Sequence, residues 1–520
     1  MRDLATKALQ RYGRPEPKRL FDLATRMLDI DDPYVIERVI AAAFGAVSAH
    51  QMPDPGGPLE SALRDWLMQL RDRFLDGGTT PTSHEQLRGH VRATYGFAGA
   101  LHPAAVPEGV DAFAPRFAAV APAEVMEDDD PNAEECTLIF GMDFENYIIG
   151  AAINGRGNYD FTHPDFRRAR AEVMARVWEL GWRDKEFGSV DQSIAANAER
   201  PYRSKRRVER YGKKYGWIAY HEMVGRLVDV GRAPAPFGKA ERLMPDIDPS
   251  FPDRPPAAPM PLPLWAPAEP TDDQTWLTSG TVAVPDQLWS PEEIHGVNGG
   301  WLLVEGYLNH SYDGRTVFGF FRTLLLAPEG AESAQQLVSE RQYLGNDFLP
   351  PLPMVRDVLA AEMPWSPRLK LSLDDDALGA FPYRALRRDW QDDGIGLDQV
   401  AVDFAPDNTS EIGLGGGYDV PSFEFAARFG LRQLSGTVDL VGLDGRRASA
   451  VFRADKPWRG HLLFVRRDLV EDFAGERRIM QVAWGEREVA ANWHSIPSWM
   501  RAVHRSYAHL WRHIRMLGVD

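Results

Sequence analysis

A proline-rich segment in the middle of the chain sets the strongest limit on the fold. Twelve prolines lie between Pro234 and Pro270, many of them in the stretch FPDRPPAAPMPLPLWAPAEP. Proline has no backbone N–H and a fixed φ, so such a segment supports neither a helix nor a sheet. We therefore interpret residues 233–272 as an extended linker that separates regions of different sequence pattern. A chain of this length predicts several domains, and the patterns predict an α+β multidomain protein.

The first part of the chain, residues 1–122, has the periodicity of amphipathic helices. In DDPYVIERVIAAAFGAV, Asp32 is placed to cap a helix and Pro33 to occupy its first turn. Apolar residues cover more than half the circumference of this helix, so we expect it to be buried. Two more helices are predicted at 59–75 and 84–102. Paired helices of this kind predict a solenoid of the HEAT or TPR type.

Two further domains are expected beyond an acidic connector at residues 123–135. In the first, residues 136–232, the stretch CTLIFGMDFENYIIGAAI is strand-like, and DFRRARAEVMARVWELGW and VERYGKKYGWIAYHEM are predicted helices. The second, residues 273–520, is predicted to be a mixed α+β domain. GGWLLVEGYL and RTVFGFFRTLLLAP are joined by NHSYDG and predict a hairpin. Further strands are predicted at TVDLVGL, RASAVFRA, HLLFVRRD and RIMQVAWGERE.

A last helix is predicted from Ile496 to Leu517. On a helical wheel, His509 and His513 fall opposite its apolar stripe, so both are expected to face water. They lie four residues apart and lack a third ligand in the sequence nearby, so we predict no metal site there.

Composition excludes several classes of protein. The formal net charge of −16 works against general affinity for nucleic acids, so any polyanion would have to bind a local basic patch. No stretch is apolar enough to span a membrane, and the N-terminus lacks the apolar core of a secretory signal. The single cysteine, Cys136, excludes an internal disulfide framework. We expect a cytoplasmic protein without membrane contact.

The common catalytic motifs are absent from the sequence. The stretch nearest to a P-loop, GRAPAPFGKA, has six residues between its glycines where four are required, and it ends in alanine. GLGGGY lacks the third glycine of a dinucleotide fingerprint, and neither HExxH nor GxSxG occurs. Cys136 follows an acidic run that should raise its pKa, so we expect a buried structural thiol. We predict no cofactor, metal or catalytic residue.

The most unusual stretch is VERYGKKYGWIAYHEM, because seven basic residues and one acid lie between Arg203 and Lys214. As a helix it would turn Tyr211 and Tyr215 inward, and Gly212 and Gly216 would permit a close neighbour. Its other side would form a candidate partner-binding surface, composed of Arg206, Arg210, Lys213, Lys214, Trp217 and His221. Trp217 would lie among cations, where it could stack on a base or anchor a protein. The opposing interpretation is that acidic surface of the same chain neutralises these cations.

Several stretches, in order, resemble the C-terminal, sensor-side region of large bacterial STAND-type NTPases of the antiviral-defence class. They include RDLATKAL, DDPYVIERVIAAAFGAV, LRGHVRATYG, VERYGKKYGWIAYHEM, DIDPS, LLFVRRDL and VAWGERE. In that class an effector and a P-loop NTPase precede a helical-repeat region that recognises a trigger. This chain has neither a P-loop nor an effector, so the resemblance implies a sensor from a truncated, split or stand-alone gene. A chain that opens on an uncapped amphipathic helix agrees with that expectation.

These observations predict a non-enzymatic recognition module that binds a protein partner, either a phage-derived trigger or a separate NTPase subunit. The alternative is a hydrolase with its site in the C-terminal α+β domain, where His295, His310 or His461 would meet acidic groups in a pocket. A weaker alternative is a nucleic-acid binder that uses the basic helix 203–221.

Overall fold

The computed structural model divides the chain into two compact units. It describes residues 2–126, 129–140, 144–154, 160–197, 211–232, 272–278, 284–340, 354–355, 365, 397–399, 401–404, 418–454, 458–490 and 495–517. The first compact unit, which we call the helical unit, contains residues 1–253, 357–370 and 407–415. The second, which we call the sheet unit, contains residues 254–356, 371–406 and 416–520. The fold class is α+β, and residues 233–271 of the predicted linker lie outside the described residues.

The helical unit is built from ten α-helices in its described residues. They are α1 (Arg2–Gly13), α2 (Pro17–Met27), α3 (Pro33–Ser48), α4 (Pro58–Phe74), α5 (Glu85–Leu101), α6 (Thr137–Phe140), α7 (Ala151–Asn154), α8 (Pro164–Glu179), α9 (Asp184–Asn197) and α10 (Tyr211–Asp229). Short 3-10 helices cover Pro103–Ala105 and Ala133–Cys136, and a π-helical turn covers Glu145–Gly150. No helix among the described residues is long and apolar enough to cross a membrane.

Helix α3 forms as the sequence predicts and lies in the core of the N-terminal helices. The Asp32 carboxylate accepts the backbone N–H of Tyr34 at 3.0 Å, and Pro33 occupies the first turn. Such a cap satisfies one of the N–H groups that a helix leaves unpaired at its start. All residues from 37 to 48 are buried, so α3 is surrounded by its neighbours, including α1, α2 and α5.

The strand predicted for residues 136–153 is wrong, because this stretch forms short helical turns. Its apolar side chains, among them Ile139, Phe144 and Ile149, join a core with α8 and α10. A short apolar run fits a buried strand and a buried helix equally well, so its period could not decide between them.

Cys136 is buried as predicted. Burial raises the pKa of its thiol to about 11, and the Asp184 carboxylate adds to that rise. The thiolate is therefore disfavoured, as expected for a structural cysteine.

Helix α10 joins the N-terminal helices to α8 through a very close backbone contact. A Cβ atom added at Gly225 would lie 1.8 Å from the carbonyl oxygen of Ser83, in the segment that precedes α5. Beside this contact, Arg226 donates to Ser83 Oγ at 3.0 Å. Arg88 of α5 donates to Asp229 of α10 at 2.6 Å. Residues 1–122 and 136–232 therefore pack together within one unit.

The sheet unit contains fourteen strands and six α-helices in its described residues. The strands are β1 (Glu293–Ile294), β2 (Val297–Asn298), β3 (Trp301–Tyr312), β4 (Arg315–Leu326), β5 (Met354–Val355), β6 (Leu397–Gln399), β7 (Ala401–Phe404), β8 (Tyr418–Pro421), β9 (Arg432–Gln433), β10 (Leu440–Val441), β11 (Ser449–Ala454), β12 (Trp458–Arg466), β13 (Arg478–Val489) and β14 (Leu510–Leu517). The helices are α11 (Asp273–Thr278), α12 (Asp286–Trp289), α13 (Ala331–Glu340), α14 (Phe423–Arg428), α15 (Arg467–Ala474) and α16 (Ser498–Ser506).

An antiparallel sheet organises this unit, with the strand order β11-β12-β3-β4-β13-β14 and β6 paired to the end of β4. The predicted hairpin is confirmed: β3 and β4 are joined by Asp313 and Gly314, with φ angles of 44° and 73°. Two positive φ values suit a two-residue turn of type I′, for which Asp-Gly is a preferred sequence. One face of the sheet carries an apolar core that includes Trp289, Trp301 and Phe321.

The single C-terminal helix predicted from Ile496 to Leu517 is wrong. Helix α16 ends at Ser506, Tyr507 adopts a left-handed conformation with φ 57°, and the chain continues as β14. Strand β14 pairs with β13 along its whole length. His509, expected to face water, is only 6% exposed, and His513 is half-buried. The apolar stripe is compatible with a helix. Residues 510–517 instead pair their backbone with β13 and therefore form a strand.

We predict that Gly225→Ala lowers the free energy of unfolding by about 1–3 kcal/mol, because the new methyl group would overlap the Ser83 carbonyl. Denaturant titration of the intact chain measures this change. The control is Gly96→Ala, also within a helix, where a Cβ would meet Trp365 at an ordinary 3.6 Å. That change should be neutral or stabilise by about 0.5–1 kcal/mol. Equal effects of the two substitutions would contradict the close contact.

We also predict that His509 makes the sheet unit sensitive to acid. Burial, with a smaller effect of nearby His504, lowers the pKa of His509 from 6.5 to about 4. The folded state therefore prefers neutral imidazole, and its contribution is present above pH 6.5 and lost as the pH falls toward 4. In His509→Gln, the unfolding temperature should depend less on pH in this window than in the native protein. His504→Gln, at an exposed position, removes only the smaller contribution and should change the pH dependence less than His509→Gln does; an unchanged pH dependence in His509→Gln would refute the prediction.

Candidate functional site

Four of the six residues in the predicted partner-binding surface lie on α10. Lys213, Lys214 and Trp217 are partly buried, and His221 is buried. Arg206 and Arg210 lie outside the described residues. The four placed residues do not form one exposed stripe, since each has different surroundings.

Lys214 is used within the protein. Its ammonium donates to Asp32 at 2.8 Å, and both side chains are 29% exposed. Because Asp32 also caps α3, its carboxylate contacts two helices that are far apart in the sequence. Lys213, by contrast, makes no hydrogen bond or ion pair within the described part of the chain. The two neighbouring lysines therefore differ in role.

Among the described residues, Trp217 lies in an aromatic cluster. Phe144 and Tyr220 contact its ring edge to face, each with centroids 5.5 Å away. His221 stacks on it at 5.6 Å and also approaches His84 at 5.2 Å. A nucleic-acid base that stacked on Trp217 would therefore compete with His221 for the ring.

A cleft of about 700 Å³ adjoins α10 within the helical unit. Its lining is rich in charge, and the charged residues are Asp29, Asp31, Asp32, Arg73, Arg176, Glu222 and Arg226. The arginines already have acidic partners: Arg73 pairs with Asp29, Arg226 pairs with Glu172, and Arg176 pairs with Glu222 at 2.6 Å. These ion pairs join the walls of the cleft and leave its cations neutralised.

The pKa of Arg176 reflects this pairing. Burial alone would lower the pKa of the guanidinium, but its hydrogen bonds to Glu222 and Glu179 raise it above the ordinary value. A cation held in this way is unsuited to proton transfer. Within the described residues, no group of three His, Cys, Asp or Glu side chains is arranged to hold a metal ion.

An exposed group of apolar side chains lies where α6, α9 and α10 meet. We call it the apolar patch, and it consists of Leu138 (41% exposed), Phe187 (37%), Val190 (45%) and Tyr211 (58%). Tyr211 was predicted to point inward, and its exposure shows that this prediction is wrong. Several exposed large apolar side chains at one place are typical of a binding surface.

Two buried or half-buried carboxylates hold the patch in place. Asp191 accepts the backbone N–H groups of Tyr211 and Gly212, at 2.7 and 2.8 Å, and so fixes the start of α10. Asp184 accepts the backbone N–H of Leu138 at 2.8 Å and the indole N–H of Trp182 at 2.9 Å. A carboxylate near the first N–H groups of a helix is favourable. The backbone that carries the patch is therefore anchored on α9.

Sequence reasoning missed this patch for identifiable reasons. Leu138 was assigned to a strand, and α9 was not recognised as a helix. The signal was present in DKEFGSVDQSIAAN, where Phe187 and Val190 lie three residues apart and share one side of a helix.

Two of the three histidines of the alternative hydrolase site, His310 and His461, lie on opposite faces of the sheet. His461 pairs directly with Tyr307, so these two side chains share a face of the sheet. His310 lies three residues from Tyr307 on a regular strand and therefore points to the opposite face. His295 stacks on Phe452 with ring centroids 5.1 Å apart.

Comparison with known proteins identifies no relative. The sequence matches no protein-family model. No curated protein matches it significantly either.

We predict that the two roles of Asp32 can be separated by mutation. Asp32→Ala removes both the cap and the ion pair and should cost about 1–2 kcal/mol. Asp32→Asn keeps an oxygen for the cap and should cost only about 0.5 kcal/mol, like Lys214→Ala. Lys213→Ala is the control and should leave the free energy of unfolding unchanged. If Asp32→Asn were as costly as Asp32→Ala in denaturant titrations, the capping role would be refuted.

Proposed function

We propose that the protein is a non-enzymatic recognition module that binds a protein partner through the apolar patch. The supporting observation is the exposure of Leu138, Phe187, Val190 and Tyr211 on anchored backbone. Burial of such side chains supplies most of the free energy at the centre of a protein interface. A surface fixed before binding loses less conformational entropy when the partner arrives.

Charge next to the patch favours a partner with an acidic rim. Lys213 lies two residues from Tyr211 and has no acidic partner in the described part of the chain. The sequence immediately before Tyr211 adds five more basic residues, Arg203, Lys205, Arg206, Arg207 and Arg210. In a chain of net charge −16 this concentration of positive charge is local, and it would steer an acidic surface toward the patch.

The resemblance to the sensor-side region of STAND-type NTPases supports a more specific form of this proposal. In that form the partner is a phage-derived trigger or a separate NTPase subunit, and the module acts in the cytoplasm. The contacts among α1, α2, α3, α4 and α5 support a solenoid of the HEAT or TPR type.

Recognition is favoured over the two alternatives by specific contacts. A hydrolase that used His310 and His461 together is disfavoured, because these two side chains lie on opposite faces of the sheet. Base stacking on Trp217 would have to compete with His221, which is already stacked on the ring.

The experiment compares capture of proteins by the full chain and by three variants, using lysates of phage-infected and uninfected host cells. Tyr211→Glu and Phe187→Glu place a charge in the apolar patch. Val230→Glu is the matched control, because Val230 is 67% exposed and lies roughly 28 Å from Tyr211 along α10. Captured proteins are identified by mass spectrometry, purified and titrated against each variant by calorimetry.

We predict that one captured protein binds the native chain and the Val230→Glu variant equally. Its affinity for Tyr211→Glu and for Phe187→Glu should be at least about tenfold weaker, because each change buries an unpaired charge. Capture that is the same for all four proteins, or turnover of a small molecule by the chain alone, would refute the proposed function.

A further inference from the structure

Strand β14 is an edge strand of the antiparallel sheet in the sheet unit, and its outer side has backbone groups without a partner among the described residues. Among the described residues, β13 is the one strand that pairs with it. The opposite edge strand, β11, has β8 and β10 beside it. The two edges of the sheet therefore differ, and β14 is the more open one.

The hydrogen-bond register shows which groups are unpaired. The N–H of Arg487 donates to the carbonyl of His509 at 3.0 Å, so the residues of β14 that bond β13 are those with odd numbers. The N–H and C=O groups of Arg512, Ile514 and Met516 then point away from the sheet. These three residues have no other backbone partner among the described residues. An edge of this kind is a template for a further strand.

The side chains of β14 alternate between the two faces of the sheet, with Arg512, Ile514 and Met516 on one face and Trp511, His513 and Arg515 on the other. Ile514 and Met516 lie on the face covered by α13 and pack against its apolar cluster. On the other face, His513 lies 5.9 Å from the ring of Trp289, and Arg515 lies 3.6 Å from Asp286 on α12. A strand added at this edge would meet Ile514 and Met516 on one face, and His513 and Arg515 on the other.

Helices flank the edge on both faces and hold it in position. Arg512 donates to the carbonyl oxygens of Val338 and Ser339 at the end of α13, at 2.6 and 3.0 Å. The guanidinium thereby satisfies helix carbonyls that lack an intrahelical partner. With β14 fixed in this way, an incoming strand would find a preformed binding site.

We propose that β14 is a docking site for an extended, acidic segment of a partner protein, which adds to the sheet as an antiparallel strand. The segment would alternate apolar and acidic residues, with the apolar ones on the side of Ile514 and the acidic ones opposite His513 and Arg515. A second copy of the chain fits less well, because pairing β14 with itself brings two sets of Arg512, His513 and Arg515 together. This proposal is independent of the apolar patch, which lies in the other unit.

The test uses a short fluorescent peptide of alternating valine and glutamate, with a valine–lysine peptide of equal length as its control. Binding to the full chain is measured by fluorescence anisotropy. Ile514→Pro removes an outward N–H that no strand of the sheet uses, so the sheet should persist, as circular dichroism would show. Ile514→Val is the matched control. Arg515→Glu reverses the charge that should select the acidic peptide.

We expect the acidic peptide to bind the native chain and the Ile514→Val variant. Ile514→Pro should weaken binding about tenfold or more, because it removes a hydrogen bond and blocks close approach. Arg515→Glu should shift preference toward the lysine peptide. Failure of the acidic peptide to bind, or equal binding to a folded Ile514→Pro variant, would overturn the proposal. A dimer in sedimentation that Ile514→Pro dissociates would overturn it in favour of a second copy.

Discussion

The close approach of α10 to the segment before α5 determines the arrangement of the helical unit. Gly225 is needed there because any side chain would overlap the Ser83 carbonyl. The nearby bonds from Arg226 to Ser83 and from Arg88 to Asp229 depend on the same approach. If α10 moved outward by the width of a methyl group, these hydrogen bonds would lengthen beyond useful range. Packing and charge pairing at this junction are therefore coupled.

Helix α10 carries three Lys and Arg side chains in its described residues, and two of them pair with carboxylates of neighbouring helices. Lys214 and Arg226 turn toward neighbouring helices and find carboxylates there, on Asp32 and Glu172. Trp217 packs into an aromatic cluster on the same side. At the start of the helix, Tyr211 is exposed and Lys213 is partly buried. The exposed part of α10 is therefore small, and it becomes a sizeable surface only when α9 adds Phe187 and Val190.

Features determined by neighbouring residues were predictable from the sequence. The cap at Asp32 and the turn at Asp313 and Gly314 depend on a few adjacent residues, and both are found as expected. Residues 136–153 and β14 were mispredicted because their conformations depend on distant partners. Leu510 and Ile514 fit a helical stripe and also a strand, and only β13 distinguishes the two. Likewise, the position of Tyr211 at the start of α10 depends on Asp191, twenty residues earlier, whose carboxylate accepts the backbone N–H of Tyr211.

The apolar patch and the edge of β14 would select partners through different kinds of contact. Side chains dominate the patch, so its specificity would depend on the shape and charge of one folded surface. Backbone groups dominate the edge, where any extended segment could form the hydrogen bonds and Arg515 would favour acidic ones. Selection by backbone tolerates sequence change in the partner, whereas selection by a fixed patch does not. A module carrying both could keep a constant partner at one surface and accept variable ones at the other. Because the two surfaces belong to separate compact units, substitutions such as Phe187→Glu and Ile514→Pro can assign each function independently.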